Sequence, residues 1–324
     1  MFIGGTGVIS TACSQRAVEL GIDLCVLNRG QSGAKRRLPA GVEVVQADIR
    51  DPASARGALG SREFDVVADF VAFTPEHVQT DIDLFRGRTG QYVFISSASA
   101  YQTPPARLPV FESTPLRNPV WPYSQAKIAC EDLLTRAYRD EEFPATIVRP
   151  SHTYDRTSVP YDTGWTMIDR MRRGKEVVVH GDGTSLWVLT HSTDFAKAFM
   201  GLLGNPQAVG DNFHITSDEV LTWNQIHEIL AAAAGVEPVI VHVTSDAILA
   251  ADEHWGHGLL GDKAHSMTFD NSKVRSVVPG YVATIPFAHG AEEIVAWHDE
   301  DPARQAIDPD MDALLDRLVE AHRV

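Results

Sequence analysis

Apolar runs with strand character alternate with stretches of helical periodicity through the first half of the chain. The strand-like runs are VEVVQAD at 42–48, FDVVADFVAF at 64–73, QYVFISSAS at 91–99 and ATIVRPS at 145–151. Between them, Thr11–Leu20, Pro75–Phe85 and Tyr123–Arg139 place apolar residues on one helical face. Alternation of this kind predicts a doubly wound α/β architecture, a parallel sheet wrapped by helices. Beyond Pro150 the regularity weakens into a loop over 157–164, a helix through Arg173, the strand VVVHGDG, and helices near 194–203 and 222–234. These segments predict a smaller lobe interleaved with late elements of the sheet. Only Met1, Phe2 and Ile3 precede the first glycines, where a central strand takes about five residues, so residues missing upstream are expected.

The chemistry begins at that first strand. Gly4-Gly5-Thr6-Gly7-Val8-Ile9-Ser10 leads from it into a helix. Glycines permit a tight turn and a close approach of backbone N–H groups to a pyrophosphate, and the helix N-terminus adds partial positive charge. Ser10 stands where a third glycine is usual and is small enough for close helix packing. The second strand, Asp23 to Leu27, ends in Asn28-Arg29-Gly30, where an acid would grip the ribose 2′-hydroxyl of NAD. There is no acid there, and Arg29 suits the 2′-phosphate of NADP. The cofactor expected is therefore NAD(P), with NADP favoured over NAD. Asp48-Ile49, closing the next strand, is placed either to contact adenine or simply to turn the chain into Asp51-Pro52.

Tyr123 and Lys127 stand four apart, on one helical face, and Ser97 ends a strand twenty-six residues earlier. Hydride transfer at a carbinol carbon requires proton transfer at its oxygen, and a phenol of pKa about 10 is too weak a base at neutral pH. A neighbouring ammonium stabilises phenolate. Ser97 would orient the same substrate oxygen.

The order of glycine loop, Asp48-Ile49, Ser97, Tyr123-x-x-x-Lys127, Arg149-Pro150-Ser151-x-x-Tyr154 and His180-Gly181-Asp182-Gly183-Thr184 resembles the extended short-chain dehydrogenase/reductase family of NAD-dependent epimerases and dehydratases. The resemblance covers nearly the whole chain. It implies a Rossmann-type dinucleotide-binding domain over 1–154, to which elements near 184–216 return, and a substrate-binding lobe from 155–183 and 217–324. It also implies that Gly4, Gly7, Asp48, Ile49, Phe70, Val71, Ala72, Tyr123, Lys127, Pro150, Ser151 and His152 line the cofactor. Catalysis would rest on Ser97, Tyr123 and Lys127. A homodimer built on the helices that follow Phe73 and begin at Tyr123 is a further expectation of the resemblance, as is Asp270-Asn271-Ser272-Lys273 as a closing segment of the fold.

Three departures narrow the chemistry. Ala98 and Ser99 replace the Asp-Glu pair of the family's dehydratases, leaving no carboxyl placed for elimination. Leu186-Trp187 follows the Gly-Asp-Gly-Thr segment where sugar-nucleotide enzymes usually carry an arginine, which suggests a free sugar or polyol facing Trp187; alternatively Trp187 packs the lobe interface. His152 replaces a frequent asparagine, as a contact or a structural residue. Thr74, Ser99, Tyr101, Tyr154 and Trp187 are the candidate substrate contacts.

Composition excludes other classes. A formal net charge of −15 opposes polyphosphate partners, and Lys35-Arg36-Arg37, the one basic cluster, reads as a solvated loop. Widely spaced Cys13, Cys25 and Cys130 suit reduced thiols in a cytoplasm, and neither a secretory signal nor an apolar run long enough to span a membrane is visible. His254, His257 and His265 have no third ligand and read as a mobile loop, so no metal is expected. Two non-catalytic alternatives are an RNA-binding protein, since chloroplast relatives associate with RNA, and an NADP sensor. Intact Ser97, Tyr123 and Lys127 weigh against both. A small-molecule substrate, with neither nucleic acid nor membrane as partner, is the expectation.

Overall fold

The computed structural model describes residues 1–30 and 35–323. Strands run β1 (Phe2–Ile3), β2 (Cys25–Asn28), β3 (Glu43–Gln46), β4 (Phe64–Asp69), β5 (Thr89–Ile95), β6 (Ala145–Pro150), β7 (His152–Tyr154), β8 (Glu176–His180), β9 (Leu186–Trp187), β10 (Leu189–His191), β11 (Asn212–Ile215), β12 (Leu221–Thr222) and β13 (Val239–Val243). Helices are α1 (Val8–Glu19), α2 (Pro52–Leu59), α3 (Pro75–Phe85), α4 (Pro122–Glu141), α5 (Trp165–Arg172), α6 (Ser192–Leu202), α7 (Trp223–Ala233), α8 (Ser245–Ala251), α9 (Glu253–Gly258), α10 (Ser272–Val277), α11 (Phe287–Asp299) and α12 (Pro309–His322).

Seven strands form one sheet in the order β11-β6-β5-β4-β1-β2-β3. Every pairing in it is parallel. Successive strand residues point to opposite faces, and in this sheet both faces are covered. Ile3, Leu27, Val67 and Phe94 pack beneath α2, α3 and α4. Their neighbours Phe2, Val26, Ala68 and Val93 pack against Ala12, Cys13 and Ala17 of α1 and Phe195 and Phe199 of α6. Near-continuous apolar strands are what a sheet buried on both faces demands. The strand order reverses direction at β1, between β4 and β2, which opens a crevice at the carboxyl ends of the strands.

The smaller lobe has its own core around Trp165, Ile168, Val179, Trp187, Trp223, Ile226 and Ile294. Residues 272–281, within the stretch expected to belong to this lobe, instead send Val274 and Tyr281 into the sheet-side core. Helix α2 is absent from the periodicity reading, which took Asp51-Pro52 for a turn. Asp51 in fact caps it, its side chain accepting from Ala53 N and Ser54 N, with Pro52 at the first helical position. The basic cluster is also not simply solvated, because Arg36 makes a two-point ion pair with Asp155 at 2.7 and 3.2 Å. The stretch around His254 and His257 is helical, with Asp252 capping α9 through Trp255 N at 2.8 Å, so it is no mobile loop.

Replacing Asp51 by Ala leaves two amide donors of α2 without their acceptor. We expect a loss of about 1 kcal/mol, read as a lower urea midpoint at unchanged slope; an unchanged midpoint would show that the cap contributes nothing.

Candidate active site

The glycine turn is built for close approach. Gly4 has φ +82°, and a Cβ there would run into the Val71 side chain; one on Gly5 would meet Val26 at 2.8 Å. Gly7 precedes α1, and its N–H donates to Ser10 Oγ at 2.8 Å, so Ser10 is an acceptor as well as a small residue. A cavity of about 690 Å³ opens beside this turn, lined by Gly4, Thr6, Gly7, Val8 and Ile9. Asn28, Arg29, Asp48, Ile49, Phe70 and Val71 complete the part foreseen from the sequence. Arg29 is exposed at its rim. Asn28 and Asp48 each spend one carbonyl or carboxylate oxygen on a local turn, at Gly30 N and Arg50 N, both 2.9 Å away.

Arg50 escaped the sequence reading although it stands two residues past Asp48. It lines the cavity, donates through Nη2 to the Val71 carbonyl, and keeps Nη1 buried with no partner. An unpaired buried guanidinium N–H is costly and offers a donor to a bound polar group. Ala72, expected against the cofactor, does not line either cleft cavity. It is fully buried and presents its carbonyl to Lys127. Asp69 holds the same loop from behind, accepting from Val71 N and Ala72 N. Burial, with Asp69 alongside, pushes the Asp81 carboxyl well above its usual range, and Tyr92 donates to it at 2.6 Å.

Helix α4 delivers the next groups. Pro122 occupies its first turn, so Tyr123 and Lys127 follow one turn apart on the face toward β4 and β5. The Lys127 ammonium is 2% exposed and donates to the carbonyls of Ala72 and Ile95, each at 2.7 Å. Burial lowers its pKa to about 8. Burial likewise pushes the Tyr123 phenol up to about 12, with the Ser97 hydroxyl pulling the other way. Lys127 Nζ lies 5.8 Å from the Tyr123 ring centroid, committed to its two carbonyls. Behind Ser97 runs a hydroxyl chain: Ser124 Oγ donates to Ser99 Oγ at 2.7 Å, and Ser99 Oγ lies 2.9 Å from Ser97 Oγ.

A second cavity of about 350 Å³ continues from the first, sharing Ile9, Phe70, Phe73, Ile95 and Thr153 with it. Ser97, Ser99, Tyr123, Lys127, Pro150, Ser151 and His152 line it, with Trp121 and Trp187. Trp187 Nε1 donates to His152 Nδ1 at 3.2 Å. An indole is donor only, so the neutral imidazole carries its proton on Nε2. Trp187 also packs on Trp223, ring centroids 5.5 Å apart, and so serves both the wall and the lobe core.

Three expected substrate contacts lie elsewhere. Thr74 sits at the N-terminus of α3, outside the lining. Tyr101 is fully buried, its hydroxyl 3.1 Å from His214 Nδ1. Tyr154 is buried against His191 and Phe287. Alternation along a short strand turned the last inward, which spacing alone does not reveal. Conversely Asn118, missed from the sequence, donates to both the Ser99 carbonyl (3.1 Å) and the Gly261 carbonyl (2.6 Å), coupling the serine turn to the opposite wall.

The sequence profile described as the NAD dependent epimerase/dehydratase family matches residues 1–216. The chain belongs to this family. It is an enzyme family of the extended short-chain dehydrogenase type, and its members use NAD. The chain is 30% identical over 149 residues to the UDP-glucose 4-epimerase of Streptomyces lividans, covering 41% of this chain and 45% of that one. It is 27% identical over 256 residues to the chloroplast stem-loop binding protein of 41 kDa b of Arabidopsis thaliana, 75% of this chain and 65% of that one. It thus spans about half to two thirds of these relatives' length. Among solved structures, UDP-glucose 4-epimerase from Thermotoga maritima with UDP-glucose superposes with TM-score 0.73 at 19% identity, covering 92% of this chain and 98% of that one. The dTDP-glucose 4,6-dehydratase of Bacillus anthracis in complex with NAD gives 0.75 at 18%, covering 93% and 96%. At such identity the likeness is one of fold. No helix of the described residues is long and apolar enough to cross a membrane.

Burial pushes His152, His180, His214 and His227 of this family member down to about 4. Between that value and the ordinary 6.5 the unfolded chain binds protons that the fold does not, so stability falls as pH drops through this window. Asp262, raised to about 7, contributes with the opposite sign, as do Asp81 and Glu112, held up by burial; these three carboxyls stand against the four rings and His77, His191 and His298, which burial also lowers. We expect the melting temperature to decline steadily from pH about 6.5 to about 4; a flat profile would contradict the buried neutral rings.

Proposed function

We propose that the protein is an NAD(P)-dependent oxidoreductase or epimerase acting on a secondary alcohol of a sugar or polyol-like substrate through Ser97, Tyr123 and Lys127. The observation that carries this reading is the convergence of those three residues in a cavity continuous with the one at the glycine turn. The residues present fit a nicotinamide dinucleotide: a glycine turn too close-packed for side chains, a helix N-terminus beside it, and the orphan Arg50 Nη1. When bound, that group accepts or returns the hydride.

The chain's own residues manage the proton. Ser97, oriented from behind by Ser99, hydrogen-bonds the substrate oxygen. Tyr123 takes the proton from that oxygen on oxidation and gives it back on reduction. Burial leaves its phenol too weakly acidic to give up its own proton at neutral pH without help. Lys127 supplies fixed positive charge behind it, at a position its two carbonyl bonds do not let it leave. Ala98 and Ser99 place no carboxyl beside Ser97, which favours oxidation and re-reduction over loss of water.

Arg29 at the cavity rim, with no acid at the end of β2, supports NADP over NAD. Association into a homodimer through α3 and α4 is part of the same reading, as is a cytoplasmic location. The likeness to a stem-loop binding protein supports a second reading, RNA binding. Against it stand the net charge of −15 and a proton-transfer set that RNA binding does not need.

Two variants decide. Tyr123→Phe should bind NADP as wild type does yet lose roughly 100-fold or more of its rate on a panel of sugars and polyols. Arg29→Ala should weaken NADP while sparing NAD, measured by nicotinamide fluorescence. Binding of neither nucleotide, or RNA affinity indifferent to Tyr123→Phe, would overturn the enzymatic reading.

A further inference from the structure

Opposite Tyr123, the wall of the cleft is a single π-helical turn, Leu259–Lys263, beyond the residues 1–216 that the family profile matches. Turns of this kind are rare and concentrate at functional sites. This one is tied down at two carbonyls. Gly261 O accepts from Asn118 Nδ2 at 2.6 Å, and a Cβ on Gly261 would stand 2.5 Å from Trp121 Cβ. Lys263 O accepts from His180 Nε2 at 3.1 Å, Ser185 Oγ at 3.0 Å and Trp223 Nε1 at 3.2 Å.

Asp262 rides on this fixed turn and lines the cleft together with Tyr123, Trp121 and Trp187. Among the described residues its carboxylate has neither a hydrogen-bond donor nor an ion-pair partner. Burial pushes it up to about 7, with Lys263 pulling down and Asp162 adding to the rise. The Lys263 ammonium is already engaged, 3.6 Å from Asp162 Oδ2 and 5.3 Å over the Trp121 ring. Among the described residues the cations lining this cavity are Lys127 and Lys263, both already engaged, and no arginine lines it. Asp262 is half-buried, and a carboxyl partly withdrawn from water without partners gains from a ligand that supplies them. Aromatic walls with a few placed polar groups are the usual make-up of a small-molecule site.

We propose that Asp262 is a substrate-binding residue that takes hydroxyl groups of an uncharged polyol or free sugar, and that it disfavours a phosphorylated or nucleotide-linked substrate at that end of the cleft. This rests on the oxidoreductase reading above and names its substrate class. An ionised Asp262 accepts from one or two ligand hydroxyls, and a protonated one donates as well. A diphosphate in the same place would set negative charge against the Asp262 carboxyl, with the neighbouring Lys263 ammonium already paired to Asp162.

The test titrates sorbitol, xylitol, galactose and UDP-glucose calorimetrically into the full chain, with and without saturating NADP or NAD. Wild type, Asp262→Asn, Asp262→Leu and Tyr123→Phe are compared, with circular dichroism melts confirming that each is folded. At least one uncharged probe should bind wild type, and bind about 10- to 100-fold more weakly to Asp262→Leu. Asp262→Asn, which keeps hydrogen bonding, should lose less. UDP-glucose should bind wild type more weakly than that probe and improve when the carboxylate is removed. Uncharged-probe affinity that is unchanged in both Asp262 variants, UDP-glucose as the tightest ligand of wild type, or no uncharged probe binding at all would each overturn the proposal. Failure of the oxidoreductase reading registers separately, as no nucleotide bound or no hydride transfer that depends on Tyr123.

Discussion

The buried ammonium of Lys127 is the interaction on which the cleft depends. An uncompensated charge at that depth would be untenable, and its compensation comes from the Ala72 and Ile95 carbonyls. These lie just past β4 and at the end of β5, where parallel strands leave backbone acceptors unpaired. One side chain on α4 thus ties two strand ends together and fixes where α4 begins. Tyr123, one turn earlier, takes its place in the cleft as a consequence. The loop carrying Ala72 is held from the other side by Asp69, which occupies the Val71 and Ala72 amides. Neither the wall near the dinucleotide cavity nor the phenol has much room to shift without breaking a buried polar bond, each worth more when lost than when made.

The same device recurs one turn further along α4. Arg149 and Glu131 form a buried ion pair at 2.5 Å, with Ser96 donating to the same carboxylate, so the strand end just before Ser97 is anchored as well. Asn118 then joins the serine turn to the π-helical turn of the opposite wall. Side-chain amides and carboxylates bonded to backbone carbonyls and amides, rather than apolar packing alone, set the width of the site. That makes it a largely preformed cavity, the arrangement that lowers the ordering cost of binding a small ligand.

The sheet and the far wall of the cleft come from different parts of the chain. Superposition on sugar-nucleotide epimerases and dehydratases extends over more than nine tenths of the residues at under one fifth identity. The family profile itself stops at residue 216. The sheet, the glycine turn and α4 fall inside that stretch; Asp262, Lys263 and Met267, which close the cleft, fall outside it. A shared scaffold for hydride and proton transfer is compatible with a different ligand wall, since function resides in the site and not in the fold.

The sequence by itself determined the parallel sheet, the positions of six of the twelve helices among the described residues and the spacing of Ser97, Tyr123 and Lys127. Periodicity is local, and a helix fixes residues four apart on one face whatever surrounds them. Capping chemistry would also have located α2, since Asp51-Pro52 is a helix start as much as a turn. What only the tertiary structure decided are contacts between segments distant in the chain. Tyr101 and Tyr154 face a core, and not the cleft, because strands and turns rotated them there. Ser99 backs Ser97 because α4 brings Ser124 against it. The segment around His257 is ordered because Asn118, His180, Ser185 and Trp223 converge on the turn that follows it. The nearest of those partners in the chain, Trp223, is 40 residues from the carbonyl it bonds, so no local pattern could announce it, and it is this long-range hydrogen bonding that brings Asp262 into the cavity that Tyr123 lines.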